Sequence, residues 1–241
     1  YFRNLISINI TKVPKEQAIV LISKVLDLLF SIDFPYPVFC LLVSAMDKIL
    51  AVYDFTIDLA QRYNELLAIH FNDVAKVKTI LKLSTHLCNY NLPNMYNIQR
   101  IAEEVIKEAE FVISAFKGKV YSDDIIEIFS TLYELLYLIL IHLKKYSYIN
   151  ESNAMIIFNK FYDVTMEIIT SHNKDNVIVY IGKSKTENSI NGLKACCFLF
   201  LLTLVDIVNK ENKKNDAISV FAIQMINMII DAINNMITNH Y

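Results

Sequence analysis

Along most of the chain the apolar residues recur three and four positions apart, the spacing that puts them on one stripe of a helix. After Pro14, whose missing N–H suits a first helical turn, "KEQAIVLISKVLDLLF" carries this pattern to about Phe30. Pro35 and Pro37 push the residues before them toward extended geometry, so a second helix starts near Pro37 and is read as broken near Asp54. On its continuation Asp58 and Arg62 have the spacing of an exposed ion pair. Asn72 or Asp73 caps the next helix, whose Lys76, Lys78 and Lys82 form a solvated side, and "NYNLPNMYN" is a loop.

From about Tyr96 to Lys117 another helix pairs Glu103 with Lys107, and Gly118 stands where a left-handed cap is wanted. Ser122 caps a helix with Asp123 and Asp124 in its first turn and His142, Lys144 and Lys145 in its last, matching the macrodipole at both ends. Ser152 is read as the cap of one more, reaching about Ser171.

Two stretches break the helical period. "NLISINITKV" alternates Ile6, Ile8 and Ile10 with polar residues, and residues 177–181 form a β-prone run ended by Gly182. They read as two short strands that would pair into a small patch leaning on the helices. The fold class is mainly α: one globular domain over residues 1–241, a bundle of about eight to ten helices with that two-stranded patch.

"GLKACCFLFLLTLVDIVNK", residues 192 to 210, has an apolar run of Ala195 to Val205 before Asp206. That is short against the roughly 20 residues a bilayer span takes. A helix apolar on all sides is a buried one, so the 193–208 helix is expected at the centre of the core. Adjacent Cys196 and Cys197 point about 100 degrees apart and do not present two ligands to one metal. The last helix, Asp216 to about Thr238, has one narrow polar stripe of Gln224, Asn227, Asp231 and Asn234. Its Phe221, Met225, Met228, Ile229, Ile233 and Met236 either pack an ordinary core or wall an apolar ligand site, methionine being the side chain that adapts to varied partners.

Composition sharpens this picture. Of 241 residues 54% are hydrophobic and 20% charged, with three Gly, four Pro and no Trp, which leaves little material for the turns of a many-stranded protein and argues against disorder. The formal net charge is −2 and no basic block exceeds two residues, so no nucleic-acid surface is expected. Cys40, Cys88, Cys196 and Cys197 have no metal or framework spacing. Reduced thiols imply an intracellular, reducing compartment, cytoplasmic or membrane-associated. Asn9-Ile10-Thr11 and Asn150-Glu151-Ser152 match the glycosylation acceptor pattern, as chance provides in an Asn-rich chain. Tyr1 stands where Met would begin a complete product, which suggests a fragment or a processed chain.

No catalytic pattern stands out. Asp123 to Glu127 has the look of the Asp-rich magnesium motif of helical isoprenoid synthases, without a second motif downstream, and these acids serve equally as dipole partners. Gly182-Lys183-Ser184 lacks the earlier Gly of a P-loop, and the five histidines include no zinc-binding pair. Tyr133 and Tyr137, one turn apart, either line a pocket with their hydroxyls or pack with wet tips.

The Ile-, Asn-, Lys- and Tyr-rich vocabulary is similar to that of proteins from AT-rich genomes, including large DNA viruses. "RYNELLAI" (Arg62 to Ile69) and "STLYELLYLIL" (Ser130 to Leu140) resemble the helical C-terminal lipid-binding domain of the poxvirus protein that assists virion membrane assembly, over roughly the middle hundred residues. That resemblance implies a helical cage for phospholipid, a role in membrane assembly and no catalysis.

The expected function is non-enzymatic binding of lipid or another apolar ligand, lined by Phe221, Met225, Met228, Ile229, Phe200, Tyr133 and Tyr137, with no cofactor and no metal. The alternative is a protein–protein adaptor or structural subunit using an apolar helical groove. Partners would be the ligand, another protein or a membrane surface.

Overall fold

A computed structural model describes residues 12–31, 36–91, 98–118, 122–170, 184–212 and 220–238. The described residues form nine helices and no strand: α1 (Lys15–Ser31), α2 (Tyr36–Leu50), α3 (Thr56–His70), α4 (Val74–Asn91), α5 (Ile98–Phe116), α6 (Asp123–Lys145), α7 (Glu151–Thr170), α8 (Ser184–Asn212) and α9 (Val220–Thr238). The protein is mainly α. Both expected strands, over residues 6–10 and 177–181, lie outside the described residues. Contacts divide the chain into two compact units, Tyr1–Glu104 and Val105–Tyr241.

In the first unit the chain leaves α2 at Leu50 and re-enters a helix at Thr56, so the break near Asp54 is real. The Asp54 carboxylate accepts from the Thr56 hydroxyl and, at 3.2 Å, from its N–H, which serves the orphan donors at the start of α3. Arg62 pairs with Glu65 at 2.6 Å rather than with Asp58. Asp73 caps α4, its Oδ1 accepting from Lys76 N at 3.2 Å. Helix α1 packs on α2, and α4 on α2 and α3, while His86 Nε2 meets Asp47 Oδ1 at 2.8 Å.

The second unit is built around α8, which packs against α6, α7 and α9. Gly118 takes φ +74°, the left-handed conformation that a residue with a Cβ adopts only under strain. Ser122 then caps α6 with its hydroxyl 3.4 Å from Ile125 N. Asn150, not Ser152, caps α7: its Oδ1 accepts from Asn153 N at 2.8 Å and its carbonyl from Ala154 N at 2.9 Å. An Asn two positions earlier reaches the same turn, which leaves Ser152 exposed on the first helical turn.

Helix α8 departs from the expectation of burial on every side. Leu193, Cys197, Phe200, Leu201, Leu204 and Val208 are buried, whereas Leu199 and Leu202 are 43% and 57% exposed. With neighbours on one side only, a helix apolar all round shows apolar residues to water on the other. By length and composition alone α6 and residues Gly192–Asn209 of α8 are apolar enough to cross a membrane; only 56% of the most apolar 18-residue window of α6 and 44% of residues 192–209 are buried within the protein.

Candidate functional site

The seven residues expected to line a ligand site fall in different places. Tyr133 of α6 and Phe200 of α8 are fully buried and meet edge to face, ring centroids 5.6 Å apart, with Phe161 of α7 6.1 Å from Phe200. Three helices are joined there by aromatic contacts. The Tyr133 hydroxyl lies 2.7 Å from Thr165 Oγ1, which itself lies 2.6 Å from the Phe161 carbonyl. A threonine hydroxyl has one hydrogen, and the carbonyl takes it, so Tyr133 donates to Thr165. The tyrosine has no wet tip: it is a satisfied core residue.

Met225 and Ile229 are buried on the face of α9 that packs against α7 and α8. Met228 is half-buried, and its carbonyl accepts from the Tyr162 hydroxyl of α7 at 3.2 Å. That bond anchors the middle of α9 to its neighbour. The Phe221 side chain lies outside the described residues.

Tyr137 is the expected residue that reaches a surface groove. With Ile141, Lys144 and Lys145 of α6 and Leu202, Thr203 and Asp206 of α8 it lines an open groove of about 580 Å³. Its residues follow from helical period. Tyr137, Ile141 and Lys144 or Lys145 succeed one another on a single face of α6, as Leu199, Leu202 or Thr203 and Asp206 do on α8. The two helices run in the same sense, since Tyr133 lies beside Phe200 and Lys144 beside Asp206.

The groove is therefore polarised along its length. Tyr137, Ile141 and Leu202 make an apolar stretch, and Lys144, Lys145 and Asp206 stand together at one end. Lys144 forms an ion pair with Asp206, while the Lys145 ammonium sits over the Tyr146 ring, 5.1 Å from its centroid. Sequence reading took Lys144 and Lys145 for dipole partners and did not connect them with Asp206, 62 residues from Lys144. Only the packing of α6 on α8 makes them a site.

The titratable groups nearby explain themselves by burial. Removal from water pushes the Cys197 thiol far above its usual range, with Cys196 adding to the rise. Burial, then the Glu134 carboxylate, raises Cys196. Neither thiol is tuned for nucleophilic work. His142 is lowered by burial and then by Lys145, and its Nδ1 has no hydrogen-bond partner among the described residues. The described residues contain no cluster of three or more His, Cys, Asp or Glu that could hold a metal ion. Comparison with known proteins finds no matching family model, curated protein or solved structure.

Proposed function

We propose that the protein is a non-enzymatic binding module for an apolar ligand and that the groove between α6 and α8 is where the ligand lies. The observation that carries this reading is the groove itself: about 580 Å³, within the size range of ligand pockets, apolar along Tyr137, Ile141 and Leu202 and charged at one end. Leu199 and Leu202, left to water on the outer face of α8, supply apolar area that an occupant would cover. This replaces the interior site expected from sequence with a superficial one, because Tyr133 and Phe200 fill the space between the helices themselves. The length and apolarity of α6 and α8 are compatible with work at a membrane surface, in the assembly role that the sequence resemblance implies.

Organic extraction of natively purified protein followed by mass spectrometry tests the proposal. A lipid or other amphiphile in stoichiometric amount, lost from Leu202→Asp, is the expected result; native protein that yields none, and takes up none when offered a C12 amphiphile, contradicts it.

A second reading rests on α9. Ile223, Ile226 and Ile230 are exposed at spacings of three and four, an apolar stripe on that helix. This stripe favours a protein–protein adaptor or structural subunit that docks through α9, and stable self-association or a partner lost from Ile226→Lys would support it.

A further inference from the structure

Resting on the apolar-ligand reading of the α6–α8 groove, we infer that its occupant is a single-chain lipid bearing one carboxylate, with the chain over Ile141 and Leu202 and the head at Lys145. Three features of the groove select that class.

Charge sets the head. At the polar end two ammonium groups, Lys144 and Lys145, face one carboxylate, Asp206, which leaves one positive charge in excess. Lys144 is already engaged with Asp206. Lys145 is exposed, and its ammonium lies over the Tyr146 ring and close enough to His142 to lower that imidazole's pKa. A single carboxylate balances that excess, whereas a phosphate monoester would bring more charge than the site neutralises. Toward the other end of the same helix face stands Glu134, close enough to Cys196 to raise its thiol, and a carboxylate there repels an anionic head. The ligand is thereby oriented with its head toward the C-terminal end of α6.

Width sets the chain. The walls are two helices in direct contact, as the Tyr133–Phe200 ring pair shows, and axes of packed helices lie about 8–10 Å apart. A single hydrocarbon chain lies along such a furrow.

Length fits as well. From Tyr137 to Lys145 the floor runs about 12 Å at the helical rise per residue, and exposed Leu199 stands one turn before Leu202 on α8. A lipid with two acyl chains would leave the second one in water.

The test is calorimetric titration of the full chain with laurate, 1-dodecanol and dodecyl phosphate, each below its self-association limit. Laurate is expected to bind at least tenfold more tightly than dodecanol and more tightly than dodecyl phosphate. Lys145→Gln should weaken laurate at least fivefold while leaving dodecanol unchanged, and Lys145→Arg should restore it. Asp206→Asn, which frees Lys144, should tighten laurate about threefold. Lys145 and Asp206 are exposed, so these variants keep the fold, which circular dichroism checks. If dodecanol or dodecyl phosphate binds as tightly as laurate, or Lys145→Gln leaves laurate affinity unchanged, the carboxylate inference is overturned and apolar binding stands. If none of the three binds, the apolar-ligand function falls with it.

Discussion

The Tyr133 hydroxyl donates to Thr165 Oγ1 across 2.7 Å of buried space, tying α6 to α7 beneath α8. Both residues are fully buried, and Thr165 passes its own hydrogen to the Phe161 carbonyl. A polar pair in an apolar core persists because each member satisfies the other.

Removing one member exposes that dependence. Tyr133→Phe keeps the ring against Phe200 but leaves the Thr165 oxygen without its donor, which costs about 1–2 kcal/mol. Thermal unfolding followed by circular dichroism should show a midpoint lowered by about 2–8 °C. An unchanged midpoint would mean the pair contributes nothing.

The thiols should sort by burial. Cys40 is exposed, Cys196 half-buried, and Cys88 and Cys197 buried. In native protein at pH 8 a disulfide reagent should label Cys40 rapidly, Cys196 slowly, and Cys88 and Cys197 only after denaturation. The raised Cys197 thiol also carries a pH dependence. Folding favours its protonated form, so that stability is complete below the ordinary thiol pKa and is lost as pH climbs above about 8.5. Chemical denaturation at pH 8 and pH 10 should show the loss, reduced in Cys197→Ala relative to its own value at pH 8.

On the acid side His142 acts with the opposite sign. Its pKa is lowered by burial and by Lys145, so the unfolded chain binds protons that the folded chain refuses. Stability is complete above the ordinary histidine pKa and falls as pH drops below about 6.5. Melting between pH 7.5 and pH 5.5 should show the decline, shallower in His142→Gln. An NMR titration placing His142 above 6.5 would contradict it.

At the start of α7 the two candidate caps separate cleanly. Asn150→Ala should cost about 1 kcal/mol, because Asn153 N loses its acceptor, and Ser152→Ala should change stability by less than about 0.5 kcal/mol. Urea denaturation of the two variants measures the difference.

Much of the helical scaffold was legible because its signals are local. Pro37 in the first turn of α2, the break near Asp54, the Asp73 and Ser122 caps and the left-handed Gly118 each act within a turn or two of their own position. The site was far less legible. Thr165 is buried with a partner 32 residues away, and Lys144 meets Asp206 over a separation of 62. The outer face of α8 was misjudged for the same reason: its all-round apolarity signalled burial, but the packing of α6, α7 and α9 leaves Leu199 and Leu202 open to water. Periodicity shows which residues share a face, and tertiary packing alone decides which face is covered.

Methyl-resolved NMR of the isoleucine and leucine side chains during titration with laurate tests the groove most directly. Shifts concentrated at Ile141, Leu199 and Leu202, with the core methyls of Leu132, Leu136 and Leu201 unmoved, are the predicted result. Shifts confined to Ile223, Ile226 and Ile230 of α9, or centred on the core methyls, would contradict it.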